Sequence, residues 1–313
     1  MNTQSAPKWP TRAGLAIRLS KTLASFAAQH RPLPGIECVA AQDTLAMQMV
    51  ASVRRLEYTE ILLKRPNSVA SGDPANVLFD PERAAILQME AGRMDEAVWL
   101  IFLATHFGKH PRHGWRMLRD VYSGPEGMPW NWDRVSKSPA DFRAWLTMRS
   151  SHIGGSFGNH RKYESINGDR PSGTGAAVES YVAWIGPSAS HQQRFAQLVH
   201  ESGNDPHAIF EHFYRHMTVA RFGRLGKFDF LCLLGRLGLA PISPGRAYLK
   251  GASGPLRGAR LLFGGDPETP LQESLLEEHL IALDRDLQVG MQVMEDSLCN
   301  WQKSPTKFIH FKG

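Results

Sequence analysis

Cysteine is scarce in this chain of 313 residues. Only three cysteines occur, Cys38, Cys232 and Cys299, and no two are close enough in sequence to form a metal knuckle or a redox pair. This spacing excludes a disulfide scaffold and argues against a structural zinc site. We therefore expect a protein of the reducing cytoplasm.

Long apolar runs, repeats and low-complexity linkers are also missing. No stretch approaches the ~20 apolar residues that a membrane span needs. The first ten residues, MNTQSAPKWP, lack the charged and then apolar pattern of a signal peptide. We therefore expect a soluble, intracellular protein with no membrane partner.

The charge and the aromatic content point to an anionic partner. The chain has 36 Lys and Arg against 30 Asp and Glu, for a formal net charge of +6, and 42% of its residues are hydrophobic, which excludes a disordered chain. It also has 8 Trp, 6 Tyr and 15 Phe. Because cations hold phosphates and aromatic faces stack on bases, nucleic acid is the first candidate.

Alternating apolar residues, the mark of strands, are rare, whereas apolar spacings of three and four recur along the chain. We predict an all-α fold with at most a minor β-hairpin, around Ile153 to Ile166. Residues 1–36 are interpreted as an N-terminal extension and residues 37–313 as a single helical catalytic domain. Two lobes with a soft boundary near Ser150 are the alternative.

Prolines and capping residues mark the helix starts. One helix is predicted from Leu45 to Lys64, and the segment from Met94 to His106 is apolar almost all round, which predicts a buried helix. Apolar residues from Leu276 to Trp301 predict one long final helix. Further helix starts are predicted at Asp80-Pro81, Ser138-Pro139, Thr174 and Asp205-Pro206.

The first segment whose residues could bind a ligand or take part in catalysis runs from Thr105 to Trp115. It places histidines, among them His106, beside Lys109 and Arg112, and a following helix N-terminus would add backbone N–H groups, so the segment suits a phosphate. A histidine-rich cap on a helix turn is the alternative. No carboxylate or cysteine accompanies the histidines, which argues against a metal here.

The second segment, from Gly154 to Glu164, combines glycines with a polar run. The glycines permit close approach of backbone to a ligand, and the run supplies an imidazole, two cations and a carboxylate. It matches neither a Walker loop nor a dinucleotide fingerprint. A purely structural loop is the alternative.

The third segment, from Arg221 to Leu231, enters a helix whose first turn carries Lys227 and Asp229. A cation and a carboxylate would thus lie together at a helix N-terminus, although Asp229 there could simply be a favourable partner of the helix dipole.

The fourth segment, from Tyr248 to Arg260, is rich in small residues and cations. Small residues expose successive backbone N–H groups, and Lys250, Arg257 and Arg260 surround them, which suits a DNA phosphate. By contrast, His207, His212 and His216 do not form a metalloprotease motif, because the glutamate precedes the last pair. We interpret them as a solvated helix face.

Five motifs together resemble the alpha-glutamyl/putrescinyl thymine pyrophosphorylase family, and its third clade in particular. The resemblance covers the chain from about Leu45 onward. The motifs are Phe79–Ala85, Thr105–Trp115, Gly158–Glu164, Gly223–Asp229 and Gly254–Arg260.

The resemblance implies work on hypermodified DNA bases and a compact multi-helix fold like that of helical DNA glycosylases. Some relatives are antiphage glycosylases that excise glucosylated hydroxymethylcytosine from phage DNA. The leading hypothesis is therefore a DNA glycosylase that flips a bulky modified base out of the duplex, cleaves its N-glycosidic bond and leaves an abasic site. On this hypothesis we expect the enzyme to need no cofactor, no metal and no obligate protein partner.

The residue types, taken apart from the resemblance, suggest which side chains would carry out the reaction and bind the DNA. Asp229 is the first candidate for the catalytic carboxylate and Glu164 the second, with His160 assisting at the base or the departing anion. Base contacts are assigned to Asn159, Lys162, Tyr163 and His106. Contacts to the DNA backbone are assigned to Lys109, Arg112, Arg161, Arg224, Lys250, Ser253, Arg257 and Arg260.

Several alternatives stay open from the sequence. Lys227 could act as a nucleophile and form a Schiff base with the sugar, which would add strand cleavage to excision. Trp130 and Trp132 are candidates for a wedge or a stacking surface. A pyrophosphorylase-type enzyme would instead attach an amine to an activated hydroxymethyl pyrimidine in DNA, and a non-enzymatic DNA-binding module would need only the cations.

Overall fold

A computed structural model describes residues 9–311. These residues form fourteen α-helices and no β-strand. The helices are α1 Ala13–Gln29, α2 Val39–Lys64, α3 Pro81–Glu90, α4 Met94–Phe107, α5 Arg116–Tyr122, α6 Trp132–Lys137, α7 Pro139–Arg149, α8 Thr174–Ile185, α9 His191–Ser202, α10 Pro206–His216, α11 Arg224–Arg236, α12 Ser253–Gly264, α13 Glu273–Leu287 and α14 Met291–Trp301.

The prediction of an all-α fold is confirmed. Between residues 9 and 311 the only β-type pairing consists of two isolated bridges, His110 with Gly114 and Ser165 with Gly173. The hairpin expected around Ile153 to Ile166 is therefore not formed, because that stretch is occupied by loops and one 3-10 turn, Asn159–Arg161. None of the helices among the described residues combines the length and the apolar character needed to cross a membrane.

The helix starts predicted from capping residues are confirmed. Asp80 caps α3, since its Oδ1 accepts the backbone N–H groups of Glu82 and Arg83 at 3.1 and 3.3 Å. The α7 helix begins at Pro139 as expected, but the hydroxyl of Ser138 makes no capping bond. Proline at the first helical position is enough to define that start.

The single long helix predicted at the end of the chain is wrong. The segment forms two helices, α13 and α14, because Gln288 and Gly290 both have positive φ angles, 53° and 86°. The Asp284 carboxylate accepts the backbone N–H groups of Val289 and Gly290, which stabilises the break. The apolar stripe continues across the break, and that continuity produced the wrong prediction.

The chain divides into two compact units. Of the described residues, unit 1 contains 9–58 and 244–311, and unit 2 contains 59–243. Unit 1 has its own core, in which α1 packs against α13 and α12 packs against α14. Fully buried members of that core include Leu19, Leu23, Leu45, Met49, Leu280, Leu283, Met294 and Trp301.

Unit 2 is built around α4, which contacts α3, α5, α6, α9 and α11. The predicted burial of this helix is confirmed, since every residue from Ala97 to Ala104 is buried. Its Phe102 ring stacks on Tyr181 at 3.7 Å and on Phe222 at 4.8 Å between ring centroids. This aromatic stack brings the C-terminal end of α4 close to the segment that enters α11.

Candidate active site

Two glycines join the first predicted segment to the second. The backbone N–H of Gly158 donates to the carbonyl of Phe107, the last residue of α4, at 2.8 Å. A Cβ added to Gly158 would lie 2.8 Å from the carbonyl carbon of Gly108, so only glycine fits this backbone crossing. Gly108 itself has a positive φ of 64°. The glycines of both segments thus serve a close contact between two loops.

The crossing places Arg161 at the centre of unit 2. Its side chain is only 7% exposed, its Nε donates to the His106 carbonyl at 3.1 Å and its Nη2 donates to the Arg221 carbonyl at 3.2 Å. The guanidinium also lies over the Phe222 ring, 5.0 Å from its centroid. Arg161 therefore connects the first, second and third segments. Its predicted contact to a DNA phosphate does not fit this burial, because the guanidinium is used inside the protein.

The first turn of α11 makes room for Arg161. A Cβ at Gly226 would lie 2.8 Å from the Arg161 Nη1 atom. Asp229 is three residues further along and lies on the same side of α11, since residues at i and i+3 are neighbours on a helix. Burial lowers the pKa of the Arg161 guanidinium, and the charges of Glu164 and Asp229 act in the opposite direction. A half-buried carboxylate, Asp229, is thus held near a buried cation.

Glu164 is the second carboxylate of the site, and two arginines surround it. Arg221 Nε donates to Glu164 Oε2 at 2.7 Å, and Arg161 Nη2 lies 3.7 Å from Glu164 Oε1. The hydrogen bond to Glu164 raises the pKa of the Arg221 guanidinium. Arg221 has a φ of 65°, which is rare for a residue with a side chain and marks a backbone held by its surroundings.

His106 faces the interior and was expected to contact the base. The side chain is 0% exposed, and its ring stacks against Phe102 and Phe222. Its Nε2 lies 3.0 Å from the Thr174 hydroxyl, which donates its proton to the Ser165 carbonyl. Nε2 must therefore carry the proton and donate. Burial and the charges of Arg161 and Arg221 hold the pKa of His106 well below its usual value.

Exposed side chains follow directly beside this buried centre. Asn159, His160, Lys162 and Tyr163 are all exposed, and Tyr163 is 82% exposed. The Lys162 ammonium lies over the Tyr163 ring at 5.0 Å from its centroid. The second segment thus turns Arg161 and Glu164 inward and Asn159, His160, Lys162 and Tyr163 outward, where they form a cationic aromatic rim.

Lys227 is separated from Asp229. Its Nζ donates to the Tyr214 carbonyl at 3.1 Å and lies 5.4 Å from the centroid of the Tyr214 ring, on α10. Residues two apart on a helix point to different sides. The cation and the carboxylate of the third segment therefore do not act as the pair that the sequence predicted. Burial lowers the pKa of the Lys227 amine.

The remaining cations of the first and third segments lie at the surface or near it. Lys109 is 62% exposed and lies 3.7 Å from Asp80 Oδ2, while Arg112 is exposed. Arg224 is half-buried at the start of α11, with its guanidinium 5.0 Å from the Phe228 ring centroid. His110 Nδ1 accepts the backbone N–H groups of Arg112 and His113. The sequence left two interpretations of this turn open, a phosphate site and a histidine-rich cap. The cap is present.

The fourth segment lies in unit 1 and uses its glycines differently. A Cβ at Gly258 would overlap the Leu298 carbonyl on α14, and a Cβ at Gly254 would overlap the Cys299 sulfur. These glycines therefore permit the close packing of α12 on α14. The cations remain outside this packing, as Lys250, Ser253 and Arg257 are exposed and Arg260 is half-buried.

Two other groups of residues also have structural roles. Trp130 and Trp132 are 2% and 4% exposed, so neither is available as a wedge or stacking surface. On α10, His212 Nε2 lies 2.9 Å from Glu201 Oε2, and His216 Nδ1 makes a hydrogen bond with the His212 carbonyl. Among residues 9–311 no group of three or more His, Cys, Asp or Glu side chains is arranged to hold a metal ion.

The sequence interpretation missed three contributors to the site. Arg221 and Phe222 lie inside the third segment but received no role, and Thr174 was interpreted only as a helix start. Arg221 holds Glu164, Phe222 supports the Arg161 guanidinium, and Thr174 fixes the His106 ring. No sequence signal identified Thr174, whose contact with His106 spans 68 positions.

Comparison with known proteins gives one family match. The model of the family described as alpha-glutamyl/putrescinyl thymine pyrophosphorylase, clade 3, matches residues 40–313. No curated protein and no solved structure gives a significant match to the chain.

Proposed function

This chain belongs to the alpha-glutamyl/putrescinyl thymine pyrophosphorylase family, clade 3, and from that premise we propose that it is a DNA N-glycosylase. The family description supports an enzyme of modified bases. The proposed reaction excises a bulky hypermodified base, such as glucosylated hydroxymethylcytosine, from phage DNA and leaves an abasic site. Its biological role would be antiphage defence in the cytoplasm.

The observation that carries the proposal is the convergence on Arg161. Three segments separated in sequence meet there, and they bring the carboxylates of Asp229 and Glu164 beside an exposed rim that contains Lys162 and Tyr163. An exposed aromatic ring suits stacking on a base, and exposed cations suit phosphates. A module that only binds DNA needs the rim but has no use for the two half-buried carboxylates.

Asp229 is the proposed catalytic carboxylate. As the N-glycosidic bond breaks, its electron pair leaves with the base and positive charge develops on the sugar, which a nearby carboxylate stabilises. Asp229 then orients a water molecule, accepts one of its protons and directs the oxygen to the anomeric carbon. Glu164 is the weaker candidate, because Arg221 and Arg161 already occupy its oxygens.

The exposed residues of the site are assigned contacts with the substrate. His160, Asn159, Lys162 and Tyr163 would contact the flipped base or its adduct. Lys109, Arg112 and Arg224 in unit 2 would hold backbone phosphates, as would Lys250, Ser253, Arg257 and Arg260 in unit 1. Arg161 and His106 are assigned to positioning, because both are buried.

The contacts of Lys227 favour hydrolysis by water over a Schiff base. Its lowered pKa is a property of nucleophilic lysines. However, its amine donates a hydrogen bond to the Tyr214 carbonyl, and the Lys227 side chain lies on a different side of α11 from Asp229. A glycosylase without lyase activity is therefore the proposed form, and trapping with borohydride would detect the alternative.

A second candidate follows from the family description itself. A pyrophosphorylase would displace pyrophosphate from an activated hydroxymethyl pyrimidine in DNA and attach an amine. The same cations would serve its phosphates. Pyrophosphate release that depends on putrescine or glutamate would favour this candidate over excision.

The deciding experiment compares three DNAs: phage DNA with glucosylated hydroxymethylcytosine, the same DNA with unglucosylated hydroxymethylcytosine, and unmodified DNA. Abasic sites are detected by alkaline cleavage and the released base by mass spectrometry. We expect a free modified base and abasic sites only with modified DNA. If no base is released from any modified DNA, the proposal is contradicted. If the protein then still binds DNA in a salt-sensitive way without forming product, it acts as a DNA-binding module.

A further inference from the structure

A surface turn of unit 2, just before α3, displays two apolar side chains. Val77 and Leu78 are 81% and 67% exposed. Among the exposed large apolar side chains of residues 9–311, they are the only two that are consecutive in sequence. Single apolar residues are ordinary on a protein surface, whereas two aliphatic side chains displayed at one point indicate contact with a partner.

Hydrogen bonds within the turn hold this pair in place. Asn76 Oδ1 accepts the backbone N–H of Leu78 at 2.9 Å, and the Asn76 carbonyl accepts that of Phe79 at 3.1 Å. Asp73 Oδ1 accepts the backbone N–H of Ala75 at 2.9 Å. Phe79 itself is buried. The pair therefore projects from a fixed support and not from a loose loop.

Lys109 connects this turn to the exposed rim of the candidate site. Its ammonium lies 3.7 Å from Oδ2 of Asp80, which is two residues after Leu78. Its backbone nitrogen lies at the crossing of the loops, where a Cβ built on Gly158 would be 3.0 Å away. Gly158 directly precedes Asn159, the first residue of the rim. The turn and the rim therefore flank one exposed cation.

The charges beside the turn suit a phosphate backbone. The Lys109 ammonium offsets the Asp80 carboxylate, which also accepts the indole N–H of Trp115 at 3.0 Å. Arg112, in the same segment as Lys109, is exposed. An apolar pair next to exposed cations is the combination with which proteins enter and hold a DNA duplex, since cations bind phosphates and apolar side chains enter between bases.

The candidate site needs a side chain of this kind. A base that leaves the duplex leaves a gap in the stack, and apolar side chains such as Leu fill the gap when a protein unstacks DNA. Trp130 and Trp132 are buried and do not reach the duplex. Leu78 is exposed, larger than Val77 and fixed by its backbone hydrogen bond to Asn76.

We propose that Leu78, with Val77 beside it, is the wedge that enters the duplex at the target base, while Lys109 holds a neighbouring phosphate. This inference rests on the proposed function and adds a positioning residue to it. Leu78 takes no part in bond cleavage. Its whole effect is on the extrusion of the base.

The test uses the fact that a wedge matters only in a duplex. Single-turnover base release is measured with one modified oligonucleotide, first single-stranded and then paired with its complement. A 2-aminopurine next to the modified base reports unstacking by its fluorescence, whether or not the base is released. DNA affinity and the melting temperature are measured alongside.

The variants are Leu78→Ala, Leu78→Met and Val39→Ala. Leu78→Met keeps a long apolar side chain and serves as the rescue. Val39 is the matched control, because it is an aliphatic residue at the start of α2 in unit 1 and is 68% exposed, almost the same as Leu78.

We expect Leu78→Ala to lower the rate on the duplex by roughly 10–100-fold, as part of the cost of unstacking and unpairing one base is no longer offset. The rate on the single strand should be nearly unchanged, because an unpaired base is extruded at little cost. The rise of 2-aminopurine fluorescence on binding should be largely lost. Leu78→Met should restore both properties, and Val39→Ala should match the wild type.

The failures are distinguishable. The role of Leu78 is overturned if Leu78→Ala equals Val39→Ala on the duplex, if it slows both substrates equally, or if its fluorescence rise equals that of the wild type. A wild-type protein that releases no base from any modified DNA overturns the proposed function. The fluorescence comparison then still decides whether Leu78 unstacks the duplex.

Discussion

The second segment in unit 2 and the fourth segment in unit 1 share a sequence signature, glycines among cations, but they use it in opposite ways. In unit 2, Gly158 crosses the backbone at Gly108 and a cation, Arg161, is buried behind the crossing. In unit 1, Gly258 lies against α14 and the cations stay outside. Glycine beside a cation therefore does not by itself predict a phosphate site.

The difference has a physical cause. A buried guanidinium needs several acceptors. At Arg161 they are the His106 carbonyl in the last turn of α4 and the loop carbonyl of Arg221, because the chain segments cross closely. A helix packed on a helix has its carbonyls bonded internally, so α12 offers its cations no such acceptors. Arg257 stays exposed and Arg260 half-buried. The crossing of loops, and not the glycine content, creates the charged interior.

The largest effect is expected at Asp229. Asp229→Asn keeps the size of the side chain but removes its charge, so excision should fall by roughly 10²–10⁴-fold while DNA binding is retained. Single-turnover base release and a binding titration check this. The control is Asp133→Asn, an exposed carboxylate on α6. An Asp229→Asn variant as active as that control would show that another group is the catalytic carboxylate.

The next effect separates the two uses of glycine. Gly158→Ala and Gly258→Ala both place a methyl group against a backbone, and each should lower the free energy of unfolding by about 1–3 kcal/mol. Only Gly158→Ala should also slow excision, because it displaces the segment that holds Arg161. Urea unfolding and base release are measured together.

Gly223→Ala is the control for these variants, since a Cβ there meets no atom within 4 Å. If Gly258→Ala slowed excision as much as Gly158→Ala at equal stability, the proposed difference between the two segments would not hold.

A smaller effect concerns the buried histidine. The pKa of His106 in the folded protein is well below 6.5, so the unfolded chain binds its proton first as pH falls. The stabilisation is complete above pH 6.5 and is lost towards the folded pKa, by up to about 1.4 kcal/mol per pH unit.

Melting curves between pH 7.5 and 4.5 measure this loss. His106→Gln keeps a donor for the Thr174 hydroxyl and should give a flatter stability profile, whereas the exposed His200→Gln should match the wild type. Parallel profiles for His106→Gln and wild type would contradict the assignment of a neutral His106.

The smallest effect tests the surface cations of both units. Lys162→Ala and Lys250→Ala should each weaken DNA binding and reduce the slope of log affinity against log salt by about 1, if each contacts one phosphate. Lys137→Ala, on the exposed part of α6, serves as the control. A slope changed by Lys162→Ala alone would confine the DNA surface to unit 2.

Local sequence signals predicted most of the helix starts correctly. Asp80-Pro81 and Asp205-Pro206 carry their capping information within a few residues, and both helices begin as expected. The break between α13 and α14 was missed because its apolar stripe continues through Gln288. A side-chain cap from Asp284 and a glycine at positive φ outweighed the periodicity.

The site was predictable by segment but not by role. The three segments of unit 2 were identified from their polar residues, yet Arg161 and His106 were expected to face the substrate and are buried. A run of exposed and buried residues in a loop has no regular period, so its orientation cannot be inferred from spacing.

The sequence by itself determined the all-α class, the helix starts and the segments that carry charge, because capping and helical periodicity act over a few residues. Only the tertiary structure decided which cation is buried, which carboxylate remains available and which glycines serve a crossing of loops. Those properties depend on contacts between residues far apart in the chain, such as Arg161 with Arg221 and Lys109 with Asp80. Burial then sets the charge and the accessibility of each group, and through them its chemistry.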